Sequence, residues 1–151
     1  MKKSNVFGTG DKRKVNPNWF TSKTWMKVLS DKIKSKDQDI YHVHFEKGSK
    51  TKLHWHNGNQ VLIATKGKGS LEIFRRYGSS KTNFKIKRIE KIILNEGDIV
   101  HIPVKTLHTH GSIDKKKTFS HIAINILPKK NAIYKTTWYE SDFKTKVLEI
   151  I

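Results

Sequence analysis

Between residues 39 and 127 the chain breaks into short runs rich in β-branched and aromatic residues, and most of the breaks between them contain glycine. The runs are DIYHVHFE (39–46), QVLIATK (60–66), SLEIFRRY (70–77), FKIKRIEKIIL (84–94), DIVHIPV (98–104) and FSHIAINIL (119–127). The breaks are GSK (48–50), NGN (57–59), KGKG (66–69), YGSS (77–80), NEGD (95–98) and DKKK (114–117). Several short strands at near-regular spacing, joined by such turns, predict an all-β sandwich or barrel. KTWMKVLSDKI (23–33) fits one helical turn or a further strand, and SDF (141–143) is a candidate start of a short C-terminal piece. No repeat or second domain is visible. A chain of 151 residues is long enough to bury one real core. The expected organisation is a basic, mobile N-terminal arm over 1–16 and a single domain over 17–151.

Absent residue types narrow the chemistry. There is no cysteine, which excludes disulfides, thiolate metal sites and thiol nucleophiles. The basic start MKKSNVFGTGDKRK is not followed by the apolar run of a secretory signal, and no stretch approaches the ~20 apolar residues of a membrane span. A cytoplasmic protein with no membrane partner is expected. The net charge of +18 would favour a nucleic acid or an acidic membrane. Yet the positive residues are nearly all lysine, scattered along the chain, with arginine only at 13, 75, 76 and 88. Base and phosphate reading leans on arginine. Lysine, isoleucine and asparagine together are what an AT-rich coding sequence over-supplies, so nucleic acid is not the expected partner.

Strand parity sorts the histidines. In DIYHVHFE, Tyr41, Val43 and Phe45 share a face and should point inward, leaving His42 and His44 outside. By the same rule His54 and His56 share a face, as do His108 and His110, and His121 goes with Ala123 and Asn125. His101, two residues before Pro103, is expected toward solvent or a partner subunit. Two imidazoles one residue apart on a strand stand roughly 7 Å apart at their backbones and can close on one ion. Surface histidine pairs are common, so that pair alone signals little.

The wider spacing is more specific. Gly48, five residues, His54, one, His56, three, Gln60, six, Gly67 is followed by Gly97, five, Pro103, one, Lys105, two, His108. This double pattern, over 48–67 and 97–112, resembles the two signature motifs of the cupin superfamily. Gln60 stands where a glutamate is usual, Lys105 where glycine is expected, and Ser112 where asparagine is usual. The resemblance implies a single-domain jelly-roll β-barrel, commonly a homodimer, with one divalent transition metal held by His54, His56, Gln60 and His108. Imidazole nitrogens and one oxygen suit Mn or Fe first, and also Ni, Co or Zn. Gln60 would bind through its amide oxygen and bring no charge. The site would keep the full double charge of the ion, making a stronger Lewis acid and disfavouring a trivalent state. The alternative is that Gln60 is only a polar strand residue in a metal-free barrel.

Two more histidines bear on function. If His110 and His121 point inward, a neighbouring cation disfavours their charged forms, so each can serve as a general base. Alternatively one ring orients a ligand or fixes a barrel corner. HWHNGNQ, LHTHG, SHIAINI and the tail TTWYESDF together resemble cupin-type hydroxynitrile lyases and cupins related to carboxymuconolactone decarboxylases. This resemblance implies acid/base roles for His110 and His121 and a pocket lined by Tyr41, Val43 and Asn125. The expected function is metal-dependent lyase, isomerase or decarboxylase chemistry on a small oxygen-bearing substrate. The rivals are a quercetinase-like dioxygenase and a non-catalytic cupin that binds a small ligand.

Overall fold

The computed structural model describes residues 1–8, 12–13, 15–140 and 146–151, so SDF at 141–143 lies outside the described residues, as do 9–11 and 14 of the N-terminal segment. In chain order the strands are β1 (Lys12–Arg13), β2 (Thr24–Val28), β3 (Gln38–Phe45), β4 (His54–His56), β5 (Gln60–Tyr77), β6 (Asn83–Asn95), β7 (Ile99–Ile102), β8 (His108–Ser112), β9 (Phe119–Ile126), β10 (Thr136–Trp138) and β11 (Lys146–Ile150). A 3-10 turn, Pro17–Trp19, and one short helix, α1 (Ser30–Ile33), complete the set. Residues 23–33 thus supply both a strand and a helical turn. Lys34 ends the turn in the left-handed conformation at φ 56°.

One strand belongs to both halves of the barrel. The first half of β5 pairs with β7 and β9, and β9 continues through β3 and β2 to β1. Its second half pairs with β8 and β6, and β8 leads through β4 to β10. Among the described residues every strand pairing is antiparallel except that of β11, which runs parallel to β6. The sheets therefore meet along β5 and curl over one interior, the jelly-roll arrangement. Residues 66–69 were expected to turn and do not: they lie inside β5. The register against β9 slips between Ala64 and Lys66, Gly67 takes φ 77°, and the pairing with β8 begins at Gly69. The strand bends instead of reversing. A Cβ at Gly67 would meet the Thr118 carbonyl oxygen at 2.2 Å, and one at Gly69 would lie 2.6 Å from the Phe119 ring.

The interior core contains Phe20, Val43, Phe45, Leu62, Leu71 and Phe119, with Phe45 and Phe119 fully buried and stacked at 6.2 Å. A second cluster, Leu53, Phe84, Ile86 and Tyr139 with Trp55, Phe74, Leu107 and Val147, packs around β4, β6 and the C-terminal β11. Trp55 and Leu107 sit one residue from His54 and His108, so by strand parity this cluster lies outside the barrel wall. Ile40, Val61, Ile63, Ile122 and Ile124 occupy outward positions of β3, the start of β5, and β9. His42 and His44 are on this outer face, hydrogen-bonded to Thr65 Oγ1 at 3.1 Å and Ser120 Oγ at 2.6 Å. His101 is exposed.

The bend at β5 gives a direct test. Gly69→Ala forces a methyl group against Phe119 and the Gly111 carbonyl, and should destabilise the protein by about 2–3 kcal/mol, the scale of an overpacked core. Urea unfolding should show a lower midpoint with an unchanged slope. An unmoved midpoint would mean that the corner is not close-packed.

Candidate metal centre and its histidine pair

Five imidazoles gather inside the barrel. β4 contributes His54 and His56, β8 contributes His108 and His110, and antiparallel pairing sets His54 directly opposite His108. His121 comes from β9. All five are buried, with His108 and His121 at 0% exposure. Ring centroids are 4.2 Å apart for His54 and His108, 4.9 Å for His54 and His56, and 5.3 Å for His56 and His108. One ligand atom each from His54, His108 and His110 lie within 4.8 Å of one another. His110, read from sequence as a residue beside the cage, therefore belongs to a trio whose ligand atoms could hold a metal. Gln60 opens β5, buried and paired across the sheet with Asn125.

Hydrogen bonds fix which nitrogens are free. The Nδ1 atoms of His54 and His108 face the carbonyl oxygens of Lys52 and Thr106 at 2.8 and 2.7 Å. A carbonyl only accepts, so each Nδ1 carries the hydrogen and each Nε2 keeps its lone pair. His56 Nδ1 is 2.8 Å from Thr136 Oγ1. The remaining Nε2 atoms of His56 and His108, together with Gln60 Oε1, are buried with no hydrogen-bond partner. Buried acceptors in a folded protein are ordinarily satisfied. Three left together, on a neutral imidazole and amide set whose outer nitrogens are already anchored, are what a divalent cation would satisfy. The residues present fit a metal.

Sequence reading missed two supporting residues. Trp138 stacks on His54 at 4.3 Å, and Thr136 anchors His56, both from β10, which pairs with β4. Their alternation in the tail TTW, facing the same way as the histidines opposite, was the available signal. The centre opens into a cavity of about 310 Å³ whose lining includes Tyr41, Val43, Asn125, Tyr134, Trp19 and Trp138, with Gln60, His110 and His121 among the polar groups. Trp19 and Trp138 stack face to face at 5.1 Å, forming an aromatic wall. Ser112 is buried too, accepting from the Gly48 backbone at 3.2 Å and so tying the start of the first motif to the end of the second. Lys105 holds the left-handed backbone, φ 63°, at the position where the motif ordinarily has glycine.

The family description "Cupin" matches residues 9–150. This chain is a cupin. Among solved structures it is similar to a cupin-like protein of Thermotoga maritima, at 28% identity and TM-score 0.64, over 95% of this chain and 98% of that one. A cupin superfamily protein of Desulfitobacterium hafniense is similar at 15% identity and TM-score 0.52, over 69% of this chain and 77% of that one. Bacillus subtilis oxalate decarboxylase, described with Mn(II) centres, shares the fold at 20% identity and TM-score 0.57, over 78% of this chain and 28% of that much longer one. No curated protein matches the chain. No helix among the described residues is long and apolar enough to cross a membrane.

Within the cupin interior, His110 Nδ1 and His121 Nε2 are 3.2 Å apart, so one proton lies between two rings. If His110 Nδ1 holds it, the other nitrogen of His110 is a lone pair available to the trio. If His121 holds it, neutral His110 presents an N–H there instead. Phe45 packs against both rings, at 5.8 and 5.4 Å. Burial pushes every one of these imidazoles toward the neutral form. His56 falls to about 3 by burial and then by His108, opposed only in part by the nearby Gln60 amide, which favours a protonated ring. His108 falls to about 4 by burial, and His121 to about 3 by burial and then by His42. His54 and His110 are held well below the usual range by burial and then by their neighbours.

These shifts set the pH response of the metal-free protein. Below the ordinary value of 6.5 the unfolded chain takes up protons that the folded chain refuses until about 4 or 3. Stability is therefore complete above that ordinary value and is lost as pH falls toward the folded values, by about 1.4 kcal/mol per histidine per pH unit. Chelator-treated protein should show a urea midpoint that drops steeply from about pH 7 to about pH 5. A flat profile would contradict a buried neutral cluster.

Proposed function

We propose that this cupin is a divalent-metal-dependent enzyme that cleaves or rearranges a small hydroxyl- or carbonyl-bearing molecule, with lyase chemistry of the hydroxynitrile-lyase kind as the specific reading. The observation that carries it is the His110–His121 pair, buried beside the free acceptors of the cage and lining the cavity. The pair places a proton donor and a proton acceptor together at that place, which ligand binding alone does not require. Manganese or iron is the proposed metal, and the Mn(II) centres of the oxalate decarboxylase that shares this fold support the first choice.

When bound, the metal supplies Lewis acidity toward a substrate oxygen. The chain's own residues do the rest. His54, His56, His108 and Gln60 present neutral donors, and whether His110 joins them depends on its tautomer. The stacked Trp19 and Trp138, with Tyr41 and Val43, give the carbon skeleton an apolar seat that excludes water. A buried imidazole as weakly basic as His121 takes a proton only from a hydroxyl that has itself been acidified, which makes proton removal selective for a substrate seated at the centre. For a cyanohydrin, the hydroxyl proton passes to the unprotonated nitrogen of the pair. The O–H electrons form the carbonyl bond, the carbon–carbon bond breaks with its electrons on cyanide, and the imidazolium returns the proton to that leaving group. The products are an aldehyde or ketone and hydrogen cyanide, and no external oxidant enters.

His121→Ala should keep its metal and lose turnover of a panel of aromatic cyanohydrins by about 100-fold or more, the usual contribution of a positioned acid/base. His54→Ala should lose metal and turnover together. A wild-type protein loaded with Mn or Fe that turns over no member of the panel, or a His121→Ala variant as active as wild type, would overturn the lyase reading.

A further inference from the structure

The cage differs from a carboxylate cage in one chemical respect. A glutamate offers an oxygen whichever way its end is turned. A glutamine offers an oxygen on one side and an NH₂ group on the other, and a half-turn about the last side-chain bond exchanges them. With NH₂ toward the histidines, two N–H groups would face a cation and the lone pairs around it. The amide is useful there only if something outside the cage accepts from its nitrogen.

That acceptor is on β9. Gln60 Nε2 donates to Asn125 Oδ1 at 2.8 Å, in a buried bond between residues directly paired across the sheet. Gln60 Oε1 is left buried and unpartnered. Gln60 is 4% exposed and Asn125 9%, so water does not compete freely for the amide. The neighbouring inward side chains, Leu62 and Ala123, are apolar and cannot take the nitrogen's hydrogens. We infer that Asn125 is a positioning residue that locks the Gln60 amide with its oxygen toward the histidine cage, a task that a glutamine at this place creates and a glutamate would not. This rests on the metal reading above and deepens it: Asn125 borders the cavity and also acts on the metal through another side chain.

The consequence is a coupling between two side chains. Replacing Asn125 by leucine removes the acceptor at similar volume, and Asn125→Asp keeps an acceptor oxygen in its place. The probe is Co(II), titrated into metal-free, untagged protein and followed by its visible absorption, with far-ultraviolet circular dichroism checking that each variant is folded. Affinity should fall about 10- to 100-fold in Asn125→Leu, the range found for partners that orient metal ligands, and stay close to wild type in Asn125→Asp. In a Gln60→Glu background the leucine replacement should cost less than about threefold, because either carboxylate oxygen serves. An equal loss in both backgrounds would assign Asn125 a structural role, and unchanged affinity in Asn125→Leu would assign it none; either result overturns the inference alone. A wild-type protein that takes up no cobalt would overturn the metal reading and the inference with it.

Discussion

The barrel depends on one strand being hydrogen-bonded in two sheets at once. β5 pairs with β7 and β9 over its first half and with β8 and β6 over its second, and it can do both only by bending near Gly67. The backbones there approach so closely that no side chain fits: the Thr118 carbonyl occupies the place of a Cβ at Gly67, and the Phe119 ring that of one at Gly69. Closing the sheets in this way turns the inward faces of β4, β8 and β9 toward a common interior. Three separate stretches of sequence then deliver histidines to one spot.

That spot is electrostatically unusual for so basic a chain. The molecule carries +18, yet its centre is a set of amides and of imidazoles that burial holds neutral. Protonating any one would place a charge in a low-dielectric interior beside four other rings. Lone pairs without partners and rings that resist protonation describe one preference, for a cation that brings no proton. The lysines lie elsewhere. The buried carboxylate of Glu72, on the opposite face of β5 from Leu71, is tied to Lys50 at 2.9 Å and Arg88 at 3.1 Å, and these partners outweigh burial and lower its affinity for a proton.

Local sequence carried the strands and the facing of the histidines because both depend on period-two alternation. Tyr41, Val43 and Phe45 turn inward and His42 and His44 outward, as parity requires. The stretch 66–69 misled because glycines are required both where a chain reverses and where two backbones cross, and only the partner strand distinguishes the cases. In the centre, the spacing of His54, His56, Gln60 and His108 was legible within two motifs. The approach of His110 to His54 was not, since it depends on β4 and β8 lying side by side. The Gln60–Asn125 bond was equally hidden, linking residues whose only relation is their register across the β5–β9 pair. Trp138 and Thr136 illustrate the same limit: neither resembles a metal-site residue until β10 is seen beside β4.

We propose that the buried acceptors of this cupin hold a metal. The most direct measurement is elemental analysis of untagged protein purified without chelator, since an affinity tag of histidines would bring metal of its own. About one equivalent of a divalent transition metal per chain is expected, the complement of a single four-ligand cage, and it should disappear in His108→Ala. Wild-type protein that is metal-free as isolated and takes up no Mn, Fe, Co, Ni or Zn on addition would contradict it. The unpartnered nitrogens would then belong to a binding cavity without a cation.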